Sequence, residues 1–283
     1  MESLEQLNRS ESTIVAYETD LSQLELYFTN QLELGDIDVE KLTTKELQSF
    51  KDAISTKFSA KTVSRKLNSM KSFFKFLHDN KLVSKDHAKP VAHPDLNLKK
   101  TRQVLSELEY RGLRDTARSN LRVYTIIELM LQLGLKIGEI SRLELTHVQI
   151  KQEPKNIMLV EFGNVPTRII ELNPSAEMAL KRYIPKRHKT EQDQGFVFNT
   201  KNGGHMMIRN IRSAINRMFA KAGLNDVTVN DLRNTFIVQQ LENGVSPEII
   251  AQVVGHKRVE ATLKYLPLTT RTEPGKKLRL VEL

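Results

Sequence analysis

A polar segment with two prolines divides this chain of 283 residues into two unequal parts. The segment covers residues 84–103, carries Pro90 and Pro94, and has no apolar periodicity of a helix or a strand. Proline fixes φ and removes a backbone donor, so a regular helix does not continue through this segment. We therefore predict a helical first domain over residues 1–85, a linker over residues 86–102 and a second domain over residues 103–283.

The composition narrows the class of partner. Lys and Arg number 43 against 34 Asp and Glu, and the net charge of +9 favours a polyanionic partner, either nucleic acid or an anionic membrane. The chain has no cysteine, which excludes disulfides, thiolate metal sites and a cysteine nucleophile. No apolar run approaches the roughly 20 residues that span a bilayer. The N-terminal residues do not form a signal peptide, so we expect a cytoplasmic protein without a membrane partner.

The first domain is predicted to be helical and basic. Apolar residues recur at three- and four-residue steps through residues 14–28, 44–57 and 60–80. The third helix carries five cations with few acids near them in the sequence: Lys61, Arg65, Lys66, Lys71 and Lys75. A face that is merely solvated would normally intersperse acids, so we predict that these five side chains contact DNA phosphates.

The second domain is predicted to be mainly helical with a small β-sheet, which makes the whole chain mainly α. Residues 121–133 read as a buried helix that ends at Gly134, and Ser106 with Glu109 forms a capping box. Further helices are predicted near residues 137–142, 208–222, 229–242 and 247–254. Residues 157–162 and 168–172 alternate as a hairpin around Gly163, and residues 196–198 are predicted as a third strand.

Three side chains near the C-terminus suggest a phosphodiester chemistry. Arg233, His256 and Tyr265 follow one another in this order, with Tyr265 nine residues after His256. A planar guanidinium matches phosphate geometry, an imidazole handles protons near neutral pH, and a phenolic hydroxyl can act as a nucleophile. Together they can break a phosphodiester without a metal or another cofactor.

Three segments resemble the tyrosine recombinase (phage integrase) family, in particular its Xer-like and transposon resolvase members. Residues 133–143 (LGLKIGEISRL) are similar to the family motif T-G-L-R-x-x-E-L-x-x-L, and residues 229–236 (VNDLRNTF) to H-x-L-R-H-T-F. Residues 253–256 (VVGH), followed by Tyr265, are similar to the L-G-H…Y block. The resemblance implies a helical, SAM-like core-binding domain that binds DNA and an α+β catalytic domain with a C-terminal tail.

The resemblance also implies roles and partners. Tyr265 would attack the scissile phosphorus and form a 3′-phosphotyrosyl intermediate, while Arg233 and His256 would bind the same phosphate. The substrate would be double-stranded DNA with inverted half-sites, bound by a homotetramer in which residues 278–283 dock on a neighbouring protomer. The alternative for this apolar tail is that it caps its own domain. No accessory protein is indicated.

Two positions depart from the family motifs. Lys136 stands where the first catalytic arginine is expected, and it keeps the charge but loses the bidentate geometry. Asn230 stands where the second motif has histidine, and an amide cannot move a proton near neutral pH. Residues 162–168 also lack the lysine that the family usually has in this hairpin. Lys155 or Lys201 could substitute for it if the fold brings either side chain to the site.

Three functional interpretations stay open on the sequence. The first is a site-specific DNA recombinase with an atypical, attenuated active site, since one altered transition-state contact costs about 10²–10³ in rate. The second is a recombinase-like protein that binds and synapses DNA with little or no cleavage. The third is a nicking–closing enzyme of the type IB topoisomerase kind, which the paired domains and small size disfavour.

Overall fold

A computed structural model describes residues 11–32, 38–95, 103–151, 153–161 and 165–283. The chain separates into two compact units, Met1–Lys100 and Thr101–Leu283. Within the described ranges, helices dominate both units and the strands form one three-stranded sheet. The predicted fold class, mainly α with a small sheet, is confirmed. None of the helices in these ranges combines the length and the apolar character that crossing a bilayer requires.

The first unit is built from three helices around an apolar core. They are α1 (Glu11–Leu32), α2 (Thr44–Ser55) and α3 (Ala60–Asp79). The core is filled by Phe28 from α1, Phe50 from α2 and Phe74 from α3, each at most 2% exposed. Ala88 and Val91 are buried in the same core, so the chain remains packed on this unit beyond residue 85. The predicted domain boundaries themselves stay a prediction.

The second unit contains eight helices and three strands among its described residues. The helices are α4 (Glu107–Ala117), α5 (Leu121–Leu133), α6 (Ile137–Arg142), α7 (Pro174–Tyr183), α8 (Ile208–Lys221), α9 (Val229–Glu242), α10 (Pro247–Val254) and α11 (Glu260–Leu263). The strands are β1 (Val148–Gln149), β2 (Asn156–Leu159) and β3 (Arg168–Glu171). The buried α5 lies at the centre, because its apolar residues face neighbours all round.

The sheet is antiparallel in the order β1–β2–β3, with Ile157 opposite Ile170. The strands predicted at residues 157–162 and 168–172 therefore pair, and part of the predicted turn lies outside the described residues. The strand predicted at residues 196–198 is wrong. Phe196 forms only an isolated bridge with Glu144, and Val197 and Phe198 are both fully buried rather than alternating. The third strand is β1.

Two helices end on glycines that the packing requires. Gly134 closes α5 with φ +63°, and a Cβ there would lie 2.5 Å from Phe236 Cδ1. Gly255 closes α10 with φ +71°, and its Cβ would lie 2.3 Å from Val165 Cγ1. The left-handed backbone and the close neighbours both exclude a side chain. These two glycines fix where the carbonyl ends of α5 and α10 point.

Candidate active site

Arg233 lies at the meeting point of two helix ends. It projects from α9 and is only 8% exposed. One guanidinium nitrogen donates to the carbonyl of Gly134, and the other donates to the carbonyl of Val254 at 2.6 Å. These carbonyls belong to the C-terminal ends of α5 and α10, where the helix dipole favours a cation. Burial nevertheless lowers the pKa of Arg233 to about 10, because its charge has lost most of its water.

A second arginine, Arg168 at the start of β3, binds the same end of α10. Its Nε donates to the carbonyl of Val253 at 2.6 Å, and its side chain is 8% exposed. The guanidinium also forms an ion pair with Glu139 Oε1 at 2.9 Å, although the alignment is too poor for a hydrogen bond. Sequence reasoning missed Arg168, because the hairpin was searched only for a lysine. The available signal was a cation at the first position of a predicted strand.

Lys136 is the N-cap residue of α6 and lies two residues after Gly134, whose carbonyl accepts from Arg233. Its backbone N–H donates to Glu139 Oε2 at 2.7 Å, whereas the ammonium of its side chain has no acceptor and makes no cap hydrogen bond. The side chain is half-buried. Burial lowers the pKa of the Lys136 ammonium, the nearby Arg233 and Arg168 charges lower it further, and Glu139 raises it. The lysine therefore belongs to a cationic cluster with Arg233 and Arg168, and its catalytic role stays a prediction.

Tyr265 and His256 lie side by side beyond α10. Their rings are nearly parallel with centroids 6.4 Å apart, and Tyr265 is 8% exposed. The Tyr265 hydroxyl donates to Asn234 Oδ1 at 2.9 Å, and Asn234 directly follows Arg233 on α9. The His256 Nδ1 lies 2.8 Å from the Thr262 hydroxyl. The fold thus brings together the three side chains whose order suggested phosphodiester chemistry.

Asn230 lies one turn before Arg233 on α9 and is exposed. It lines a cleft that it shares with Arg212 of α8 and Ile137 of α6. Lys155, a candidate for the missing hairpin lysine, is held elsewhere by Glu153 at 2.9 Å and Glu177 at 3.0 Å. Lys201 is exposed in a turn.

The five cations predicted to contact DNA on α3 are not equivalent. Lys66 is 4% exposed, and its ammonium binds Asp20 at 2.9 Å and Gln23 at 2.6 Å. The prediction of a phosphate contact is therefore wrong for Lys66, because α1 supplies an acid that is remote in sequence. Arg65 also binds Asp20 while remaining half-exposed. Lys61 and Lys75 are exposed, and Lys71 is half-buried.

The second unit carries a basic surface that the sequence did not single out. One face of α8 presents Arg209, Arg212 and Arg217 to solvent, together with the polar Ser213 and Asn216. The opposite face of the helix is buried through Ile211, Ile215 and Phe219, among others. Neither Arg209 nor Arg212 has an acidic partner among the described residues. The cleft that contains Asn230 adjoins this surface through Arg212.

The C-terminal segment, residues 278–283, packs on its own unit. The Gln240 amide exchanges two hydrogen bonds with the Val281 backbone, at 2.6 and 2.8 Å. The Gln132 amide does the same with the Leu283 backbone, at 2.7 and 3.1 Å. Both glutamine side chains are buried. In the single chain, residues 278–283 therefore cap their own unit, which is the alternative to docking on a neighbouring protomer.

Two family models together cover most of the chain. The phage integrase family model matches residues 100–271, and the model of the phage integrase N-terminal SAM-like domain matches residues 2–81. The chain belongs to the phage integrase family. Its described residues contain no group of three His, Cys, Asp or Glu side chains that could hold a metal ion.

Curated relatives of the chain are tyrosine recombinases. The tyrosine recombinase XerC of Lactobacillus delbrueckii subsp. bulgaricus is 26% identical over 269 residues, which cover 90% of this chain and 88% of the relative. The XerC of Roseiflexus castenholzii is 26% identical over 271 residues, which cover 92% and 84%. The predicted family and the predicted enzyme class, tyrosine-type recombinase, are therefore confirmed. The roles of individual residues stay predictions.

Solved structures of other integrases and recombinases share the fold. The Tn1549 transposon integrase in complex with transposon right end DNA has a TM-score of 0.76 at 17% identity, over 96% of this chain and 93% of that one. The XerH recombinase bound to palindromic difH has a TM-score of 0.75 at 14% identity, over 91% and 77%. The XerA recombinase has a TM-score of 0.54 at 24% identity, over 93% and 90%.

Proposed function

We propose that this integrase-family protein cleaves and rejoins DNA at specific sites, with Tyr265 as the nucleophile. One observation carries the proposal: the Tyr265 hydroxyl is hydrogen-bonded to the residue that follows Arg233, while its ring lies beside His256. Attack forms the Oη–P bond and breaks the bond from phosphorus to the 5′-oxygen. The product is a 3′-phosphotyrosyl intermediate that retains the energy of the phosphodiester, so rejoining needs no ATP.

The cationic cluster would stabilise the charge that develops on the phosphate. Arg233 uses one N–H on each terminal nitrogen for the two helix ends, which leaves further donors for the non-bridging oxygens. Lys136 contributes a second charge, and His256 would donate to the same phosphate. Asn230 can offer a hydrogen bond but no proton near neutral pH. We expect an atypical and attenuated site, because Lys136 lacks the fork of an arginine.

The DNA partner is supported by two basic surfaces and by the relatives. Lys61, Arg65, Lys71 and Lys75 on α3 and the arginines of α8 are the proposed phosphate contacts. The Tn1549 integrase and XerH neighbours were solved on DNA, and the latter on a palindromic site. We propose that this protein likewise binds double-stranded DNA with inverted half-sites in the cytoplasm. A role in transposition or resolution is compatible with the transposon integrase neighbour.

The proposed assembly is a homotetramer on DNA in which residues 278–283 dock on the neighbouring protomer. The contacts made by the segment support such an exchange, because Gln132 and Gln240 bind its backbone and would bind the segment of a second copy in the same way. The second candidate function is DNA binding and synapsis without cleavage. Lys136 and Asn230 favour it, since both replace expected catalytic groups.

A nicked suicide duplex that carries the target site separates the two candidates. Once cleavage releases the short strand beyond the nick, the covalent intermediate cannot rejoin and accumulates as a protein–DNA adduct. We expect an adduct with the wild-type protein and none with Y265F, which lacks only the hydroxyl. Y124F is the matched control and should form the adduct. Site-specific DNA retention without an adduct at any pH would refute cleavage and favour the synapsis function.

A further inference from the structure

The orientation of the Asn234 side chain is fixed by Asp231. Asn234 Nδ2 donates to Asp231 Oδ1 at 2.9 Å. A carboxylate can only accept, so the nitrogen end of the amide must face Asp231 and the oxygen end must face away from it. The Tyr265 hydroxyl lies 2.9 Å from that oxygen and therefore has to be the donor. Asp231 does not contact Tyr265, but by orienting Asn234 it determines where the Tyr265 hydroxyl proton points.

Asp231 is itself held in place by the start of α9. Its Oδ2 accepts from the Thr228 backbone N–H at 2.8 Å and from the Thr228 hydroxyl at 2.6 Å, and the residue is 6% exposed. Because both carboxylate oxygens are occupied, neither Asp231 nor Asn234 can rotate without losing a hydrogen bond. A partly buried chain of hydrogen bonds thus runs from the start of α9 to the Tyr265 hydroxyl.

The same helix also carries the phosphate clamp. Arg233 precedes Asn234 on α9, and its guanidinium is fixed by the ends of α5 and α10. One rigid element therefore sets both the position of a bound phosphate and the position of the phenolic oxygen. We infer that Asn234 is a positioning residue, which holds the Tyr265 hydroxyl in line with a phosphorus that Arg233 binds. This inference rests on the proposed cleavage function and adds a residue to its site.

The chemistry of an amide limits what Asn234 does. An amide oxygen is a very weak base, so Asn234 orients the hydroxyl and does not take its proton. With the proton directed at Asn234, the lone pairs of the phenolic oxygen point away from the amide. During attack the proton leaves the phenol for another acceptor, and the 5′-oxygen gains one as it departs. Loss of Asn234 therefore slows the reaction through misplacement of the nucleophile, for which about 10- to 100-fold is typical.

The decisive comparison is between N234L, N234H and Q239L. Leucine matches asparagine in size but has no acceptor, so N234L should reduce the single-turnover rate of adduct formation by about 10- to 100-fold with unchanged DNA affinity. A neutral imidazole can donate to Asp231 through one nitrogen and accept from Tyr265 through the other, so N234H should recover most of the rate. Q239L makes the same chemical change elsewhere on α9 and should leave the rate unchanged. An N234L protein that cleaves at the wild-type rate would overturn the inference.

A measurement without DNA keeps the inference separate from the proposed function. With 3-fluorotyrosine at position 265, the fluorine NMR signal reports the environment of the phenol in the free protein. N234L should shift this signal, and Q239L should not. An unmoved signal in N234L would overturn the Asn234–Tyr265 contact. If the wild-type protein forms no adduct while N234L shifts the signal, the cleavage function is refuted and the contact is upheld.

Discussion

At the residue scale, Lys136 makes the proposed chemistry sensitive to pH. Burial, together with the Arg233 and Arg168 charges, lowers the pKa of its ammonium from the ordinary value of 10.5. As pH rises through that lowered pKa, the lysine loses its charge and the phosphate loses a stabilising group. An arginine at this position would keep its charge to higher pH than a lysine, because the ordinary pKa of its guanidinium is higher.

We therefore expect K136R to change the pH profile of cleavage. The adduct rate of K136R should begin to fall at a higher pH than the rate of the wild-type protein, measured on the nicked duplex from about pH 7 to 9, which lies below the pKa of about 10 of Arg233. K181R, at an exposed position on α7, should follow the wild-type profile. Identical profiles for K136R and the wild-type protein would contradict a titrating Lys136 in the site.

The same titration acts on stability in the opposite direction. The pKa of Lys136 is lower in the folded than in the unfolded chain, so between the two values the unfolded chain binds more protons. The contribution of Lys136 to the free energy of unfolding therefore rises with pH across this window. The charged form of Lys136, which the proposed chemistry requires, is thus the form that the folded protein disfavours.

Residue types and spacing singled out the three side chains that the fold brings together, but not the residues that support them; the catalytic roles of the three stay predictions. Arg233, His256 and Tyr265 were recognisable because their chemistry and order are unusual together. Asn234 occupies the second histidine position of the motif H-x-L-R-H-T-F, which was a usable signal. Its hydrogen bond to Tyr265 was not predictable, because it depends on how a later segment returns to α9. The burial of Lys66 was not predictable for the same reason, because its partner Asp20 lies on another helix.

At the scale of elements, the ends of α5 and α10 hold Arg233, so the glycines that shape these ends support the proposed site. Gly255 has φ +71°, and a Cβ at this position would lie 2.3 Å from Val165 Cγ1. A left-handed conformation alone costs a non-glycine residue about 1–2 kcal/mol. Either the Val165 side chain or the end of α10 must shift to relieve the contact, and a shift of α10 would move the Val254 carbonyl that Arg233 binds.

G255A should consequently lower both stability and cleavage. We expect a loss of at least about 1–2 kcal/mol in the free energy of unfolding by urea, and a slower adduct rate. G112A is the matched control, because nothing lies within 4 Å of its new Cβ on α4. It should be neutral or stabilising by about 0.5–1 kcal/mol. A G255A protein as stable and as active as wild type would show that the end of α10 is not constrained.

A second prediction at this scale concerns the proposed DNA contacts of the basic face of α8. If Arg212 neutralises one phosphate, R212A should weaken binding to DNA of any sequence and should reduce the slope of log affinity against log salt by about 1. K181A removes an exposed cation on α7 and should leave the slope unchanged. Fluorescence anisotropy with labelled duplex at several salt concentrations measures both. An unchanged slope in R212A would exclude this face from the DNA interface.

Most elements were predictable because their local signals agree with the fold. The capping box of Ser106 and Glu109 forms as predicted, and α9 and α10 begin and end where the periodicity places them. The strand predicted at residues 196–198 failed because a short apolar run is equally compatible with a buried loop. The true third strand, β1, has only two residues and carries no recognisable pattern.

At the scale of the whole molecule, the proposal that residues 278–283 link the protomers can be tested at the surface on which they pack. Leu280 packs against the core of its own unit, whereas Leu278 is 75% exposed. L280S should therefore loosen the segment and reduce the tetramer formed on DNA. L278S is the matched control and should assemble normally.

Sedimentation on a duplex with two half-sites gives the readout for both variants. Adding a protomer with an intact segment but with Y265F should restore the assembly of L280S, because a donated segment can fill the vacated seat. Equal tetramer formation by L280S and L278S would contradict a role for this segment in assembly.

Gln132 and Gln240 hydrogen-bond the backbone of Leu283 and Val281, which lie two residues apart in the C-terminal segment. Neither glutamine hydrogen-bonds a side chain of the segment. A seat of this kind recognises the direction and register of an extended chain more than its sequence. The segment can therefore change its side chains over evolution as long as positions 280, 281 and 283 stay apolar and position 282 keeps an acceptor for the Ser175 N–H. Protomers whose tails have diverged in this way could still share one complex.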